Sequence, residues 1–246
     1  MKIRVLSIVS ALAIVMSFMT MPVKADPYNG GIAIGVTFSA NQFDSVGKEL
    51  EGNATNLPNG EVDTNNKSFA IDEELGSAFL EGSFRVGDGL GIGLTIGGEY
   101  MPGEFTLGSG TRTDVTTDVS EAVQDDGTYT AKGTASDHMT FYAEPTIYIT
   151  NNLGIYAKGG ISRIVVKSLE DLEVGADSST YDDKAVTGTV KGVGVKAISP
   201  WGIFVKLEYV ETDYDSITLT SSSGNKNQIS GDIDQESTRI ALGYQF

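Results

Sequence analysis

Eight times along this chain, apolar side chains recur at every second position for about ten residues, and the connections between these segments alternate short and long. Successive side chains of an extended strand point to opposite faces, so period two is a strand signature. Ten residues exceed the usual soluble strand of about 5–6 and suit a tilted strand of about 9–11 that crosses a bilayer. The segments are 32–39, 78–86, 90–101, 138–150, 153–166, 186–198, 203–214 and 236–246. In the third, Leu90, Ile92, Leu94, Ile96 and Tyr100 alternate with Gly91, Gly93, Thr95, Gly97 and Glu99. Three connections are short: Gly87-Asp88-Gly89, the neighbourhood of Asn151-Asn152, and Ser199-Pro200-Trp201-Gly202. All three carry hairpin chemistry. The long ones, about 41–77, 102–137, 167–185 and 215–235, are rich in Ser, Thr, Asn, Asp and Gly. Loop lengths sorted by end predict an all-β fold. It is an eight-stranded antiparallel up-and-down transmembrane β-barrel with short periplasmic turns and long external loops. A water-soluble sandwich has no reason to sort its loops.

A barrel of eight strands has an interior just wide enough for side chains to fill. The face opposite the apolar one must therefore be small or internally paired. It carries Gly35, Gly91, Gly93, Gly97, Gly160, Gly192 and Gly194. It also carries four acids, Glu81, Glu99, Glu144 and Glu208, and five bases, Arg85, Lys158, Lys196, Lys206 and Arg239. A charge out of water is tolerated when it is paired and hydrogen-bonded. The near balance predicts a polar network that plugs the interior rather than an open pore. Aromatic residues gather near segment ends, Phe38, Tyr100, Phe141 and Tyr209 toward the long connections, Phe84, Tyr148, Trp201, Tyr244 and Phe246 toward the short ones. Two interfacial girdles are expected of a membrane barrel.

Composition narrows the chemistry. There is no cysteine, hence no disulfide framework, thiolate metal site, Cys nucleophile or lipobox. The single histidine, His138, excludes a site built on two imidazoles. A formal net charge of −16 argues against nucleic acid as a partner, since phosphate binding needs clustered Lys and Arg. Without the three bases of residues 1–25 the charge is −19, and most of it lies in the four long connections, with 24 acids against 7 bases. A solvated acidic surface accounts for this. The acidic groups Asp72-Glu73-Glu74, Asp125-Asp126, Glu170-Asp171 and Asp182-Asp183 lack the spacing of a calcium loop, and no metal or cofactor is expected. The glycines of 87–98 lie inside a period-two strand and not between a strand and a helix, so they are packing glycines, not a dinucleotide loop. Asp137-His138 could serve a hydrolase or acyltransferase only with a nearby Ser and a lipid-sized cavity.

The first 25 residues differ in kind. Lys2 and Arg4 head an apolar run to about Met21, followed by Pro22-Val23-Lys24-Ala25. That is the anatomy of a secretory signal peptide, leaving 26–246 as one barrel domain. The last residues, Ile240, Leu242, Tyr244 and Phe246 at alternate positions, resemble the C-terminal signal read by the barrel-assembly machinery of Gram-negative bacteria. With the leader and eight segments, the chain resembles the bacterial outer-membrane β-barrel family, which includes the OmpA-barrel, OmpX, OmpW and opacity-protein types. The resemblance implies an outer-membrane location, with membrane lipid, lipopolysaccharide, the assembly machinery and an unknown external ligand or surface as partners. It brings no catalytic motif. The expected role is a non-enzymatic structural, adhesive or envelope-integrity protein. The alternatives are a narrow porin or small-solute channel, and a lipid-modifying enzyme.

Overall fold

The computed structural model describes residues 28–50, 64–114, 127–172, 180–222 and 228–246. The leader and Asp125-Asp126 lie outside them, and of Glu170-Asp171 only the backbone is described. The strands are β1 Gly30–Leu50, β2 Thr64–Val86, β3 Gly91–Asp114, β4 Gly127–Tyr148, β5 Leu153–Leu172, β6 Lys184–Ile198, β7 Ile203–Tyr214, β8 Ile217–Thr220 and β9 Gln228–Gln245. Each of β1 to β6 pairs antiparallel with the next, β7 pairs with β9, and β9 returns to β1. That closes an eight-stranded barrel. The four-residue β8 adds to the end of β9 remote from the short turns.

The half nearest the turns wears its apolar face outward. Ile92, Phe84, Ile161 and Ile147 are each more than 60% exposed, and Trp201 stands at a turn tip with 77% of its surface open. About nine residues per strand, at about 3.3 Å each and tilted about 40°, give a belt about 23 Å tall, close to the apolar band of about 25 Å on outer-membrane barrels. Tyr148 does not join the girdle at this end. It turns into the lumen and is buried.

Beyond the belt the polarity reverses. On β7 the outward row Ile203, Val205, Leu207, Tyr209 continues as Glu211 and Asp213, while the inward row Lys206, Glu208 continues as Val210 and Tyr214. On β1 the outward Ile32 and Phe38 give way to Gln42 and Asp44, and Phe43 turns inward with no exposure. The strand does not stop; its apolar side changes faces. Among the described residues, much of the long connections is for that reason strand, above all in 41–77 and 102–137, where the sequence predicts loop. β1 has 21 residues, which at the same rise and tilt spans about 53 Å along the axis, about twice the belt.

The far half is not a simple extension of the barrel. Pairing of β2 with β3 ends at Ala78 and Tyr100, although the two strands run on to Thr64 and Asp114. Two kinks lie side by side there. One, on β3, is the shift between Met101 and Glu104 at Pro102-Gly103, where Gly103 has φ 103°. The other, on β4, is the shift between Ser136 and Met139, where Asp137 has φ 52°. Bulges bend a strand and sharpen its twist. Here they fold the β3–β4 hairpin inward until Phe105 stacks on Phe43 at 4.6 Å. Beyond the belt the sheet β8-β9-β1-β2 thus faces β3-β4-β5 across an apolar cluster that includes Phe43, Ile217, Leu219 and Ile233 from one side and Phe105, Leu107, Ala135, Ile164 and Val166 from the other. Ser45 Oγ donates to Leu107 O at 3.0 Å and Thr106 N donates to Glu73 Oε1 at 3.3 Å across the gap.

Candidate functional site: the filled lumen

The four acids and five bases at inward positions of the belt segments are all buried, and they are stacked in tiers. At the turn end the Arg85 guanidinium donates to Asn151 O at 2.9 Å, Gly89 O at 3.0 Å and Asn151 Oδ1 at 3.0 Å, and lies 4.0 Å over the Tyr148 ring. It caps the carbonyls of two turns and, among the described residues, pairs with no carboxylate. Lys196 has a neutral partner too, donating to Gln245 Oε1 at 3.0 Å with its ammonium 4.1 Å over Phe204. Its directly opposed residue on β7 is another cation, Lys206.

The middle tier holds the ion pairs. Lys206 donates to Glu81 and, at 2.7 Å, to Glu144. Lys158 contacts Glu208 at 2.7 Å and Glu144 at 3.2 Å. Arg239 contacts Glu99 and lies 3.7 Å from Glu208. Four carboxylates are thereby linked through three cations drawn from β5, β7 and β9. Three hydroxyls complete the tier: Tyr142 donates to Glu81 at 2.8 Å, Tyr156 to Glu208 at 2.8 Å, and Ser77 to Glu99. The two tyrosines owe their room to glycine. A Cβ on Gly97 would meet the Tyr142 ring at 2.6 Å, and one on Gly194 the Tyr156 ring at 2.5 Å. Both tyrosines stand at inward period-two positions, Tyr142 between Thr140 and Glu144 and Tyr156 beside Lys158. Their opposition to inward glycines is the signal that marks them.

Above the ion pairs lies a neutral polar tier. Ser162 Oγ is 2.7 Å from His138 Nε2, and Thr140 Oγ1 and Tyr214 OH are each 3.3 Å from it. A serine is thus within reach of the histidine. Asp137, however, is exposed on the opposite side of the strand, and His138 Nδ1 has no hydrogen-bond partner among the described residues. The adjacent cavity, about 20 Å³ between His138, Thr140, Gln235 and Arg239, has room for about one water and none for an acyl chain. The apolar cluster closes the lumen above this tier.

Outside the barrel, past the belt, acids predominate on β7, β9 and β1. Partial burial raises the Asp234 carboxyl above the ordinary aspartate value, and repulsion from Asp213, Asp232 and Asp44 raises it further. Hydrogen bonds to Glu211 and Asp213 raise the exposed Lys191 ammonium. Of the acidic triplet, Asp72 and Glu74 face outward and Glu73 inward. At the closing strand, Ile240 and Leu242 face outward with Tyr244 and Phe246 beside them, the last two rings 5.0 Å apart edge to face. Phe246 N donates to Ile32 O at 2.8 Å, which ties the chain end to the first strand.

The chain is similar to the crystal structure of Ail, the attachment invasion locus protein of Yersinia pestis, in complex with a heparin analogue, at 10% identity over 86% of this chain and 99% of that one, with a TM-score of 0.37. It is similar to the outer membrane protease OmpT of Escherichia coli at 11% identity over 93% and 100%, TM-score 0.40. Neisserial surface protein A matches at 8% identity over 85% and 97%, TM-score 0.28. No curated protein sequence matches the chain. The model of the outer membrane protein beta-barrel domain matches residues 11–246. Together with the closed eight-stranded barrel and its apolar belt, that match makes the chain a member of the outer membrane protein beta-barrel domain family, located in the bacterial outer membrane.

Proposed function

We propose that this is a non-enzymatic, non-conducting surface protein that serves adhesion or envelope integrity. It reaches the outer membrane by way of an N-terminal signal peptide (residues 1–25), and the assembly machinery reads Ile240, Leu242, Tyr244 and Phe246 there. The short turns face the periplasm. The far half stands outside, among the sugars of lipopolysaccharide and beyond. The observation that carries this reading is the filled lumen. Ion pairs on Lys206, Lys158 and Arg239 occupy its middle, and an apolar cluster occupies its outer end. Ions do not cross two such barriers in series, because desolvation in the apolar segment opposes them and the ion-paired segment has no open path. The Ser162–His138 pair supports no hydrolytic reading, since the lumen around it admits only about one water.

The test is planar-bilayer recording on the refolded protein. We expect a silent baseline across the physiological voltage range. Steady channel openings of porin size would contradict the proposal, and hydrolysis of a lipid or ester substrate lost in a Ser162→Ala variant would contradict its non-enzymatic part.

A further inference from the structure

At the outer rim of the belt, β7, β9, β1 and β2 set four residues side by side on the outer wall. Tyr209 opposes Thr238, Thr238 opposes Ala40, and Ala40 opposes Glu74. The row on the turn side is apolar, with Leu207, Ile240 and Phe38 exposed, and belongs to the lipid. The row on the other side is Glu211, Glu236, Gln42 and Asp72, and belongs to water. Small side chains at the centre of larger ones leave a hollow of about 540 Å³, lined by Tyr209, Glu236, Thr238, Ala40, Asp72 and Glu74 among others. Neighbouring strands lie about 4.8 Å apart, so Tyr209 and Glu74 face each other across about 14 Å.

The protein does not neutralise this hollow itself. Lys191, on the neighbouring β6, is taken up by Glu211 and Asp213 at 3.0 and 3.4 Å. Glu236 accepts from Tyr209 OH at 3.0 Å. Among the described residues, neither it nor Asp72 nor Glu74 has a basic partner. The hollow is far wider than a metal ion, and among the described residues no three acids converge closely enough to hold one. An ammonium suits it better, because the exposed Tyr209 ring and the carboxylate tied to that ring attract the same cation. The apolar row fixes the ligand's other half: a molecule entering from the membrane lays its remaining length on Leu207, Ile240 and Phe38. We propose that the hollow between Tyr209 and Glu74 binds an outer-leaflet amphiphile whose head group carries an ammonium and whose acyl chain runs along Leu207, Ile240 and Phe38. Phosphate groups at the same height are repelled by the same carboxylates. The site therefore selects amine-bearing lipid from the phosphorylated lipid around it.

This inference rests on the reading that the far half is external, which puts the hollow at the outer leaflet. The test reconstitutes the full barrel in phosphatidylcholine bilayers with a trace of chain spin-labelled stearylamine, phosphatidylglycerol or phosphatidylcholine, and reads the motionally restricted fraction. We expect stearylamine to be preferred over phosphatidylcholine about threefold or more, and phosphatidylglycerol not at all. The preference should vanish in E74Q/E236Q. It should also vanish in Ala40→Leu, which fills the hollow and leaves every charge in place. It should survive in D44N/D234N, which removes as much charge outside the hollow. No preference for the amine, equal losses in the two double variants, or an undiminished preference in Ala40→Leu overturns the proposal. Should Ala40→Leu not insert, the two double variants decide alone. Displacement of the label by an equal concentration of soluble ethylammonium would overturn the part given to the acyl chain. A silent bilayer record without amine preference would sink the hollow and leave the closed-lumen reading standing.

Discussion

Lys206 is the most connected charge in the lumen: it holds Glu81 and Glu144 together while the rings of Phe79, Tyr142, Tyr156 and Phe204 lie within 6.0 Å of its ammonium. Removing one member of a buried pair strands the others, at a cost of about 3–5 kcal/mol. We expect Lys206→Met to lose about that much in urea unfolding from lipid vesicles. Lys191→Met should change nothing measurable, because Lys191 is exposed and its pairs with Glu211 and Asp213 are screened by water. At Asp234 the argument runs the other way. A carboxyl raised above its unfolded value of 3.8 holds more protons in the folded state. Its contribution to stability is complete below that value and is lost as pH rises through the raised one. Unfolding midpoints measured from acid pH upward should fall across that window, and Asp234→Asn should flatten the fall by removing the repulsion from Asp213, Asp232 and Asp44.

Strands tell which part of this was legible beforehand. Leu94 sits in mid-belt, opposite Phe84 and Pro145, with its side chain out, while its neighbour Thr95 is buried in the lumen. Arginine at Leu94 should cost about 2–4 kcal/mol in vesicle-based unfolding, and serine at Thr95 far less; equal responses would mean the faces are misassigned. Deleting Phe246 removes the donor to Ile32 O and an aromatic neighbour of Tyr244. We expect the truncated chain to be secreted but to fail to insert, as read by the fraction that resists unheated denaturation in outer-membrane preparations. The belt segments were readable because apolar residues hold one parity there, and the nine charged positions of the opposite face follow from the same parity. The far half was not readable. Between Phe38 and Phe43 the apolar side changes from even to odd numbers, and a period whose phase shifts looks like no period at all. Nor does the parity of β2 and β3 reveal that they separate, since Pro102-Gly103 reads as an ordinary turn and the Asp137 kink has no sequence signal beyond an aspartate that tolerates positive φ.

As a whole molecule, the chain solves two solvent problems with one set of strands. Within the belt it is inside out, apolar to lipid and charged within; past it the same strands carry acids to water and close on Phe43, Phe105 and Ile233. The lumen is filled along its length, by Arg85 and its turn carbonyls, the ion-pair tier, the His138 tier and the apolar cluster in succession. The absence of cysteine makes this open to direct measurement. Single cysteines placed in turn along β7, from Ile203 to Tyr214, can carry a spin label whose collisions with oxygen report lipid and whose collisions with a water-soluble nickel chelate report solvent. We expect labels at Val205 and Leu207 to meet oxygen, labels at Glu211 and Asp213 to meet the chelate, and labels at Glu208, Val210 and Thr212 to meet neither. Chelate access at those three inward positions would show a water-filled lumen and contradict the closed barrel.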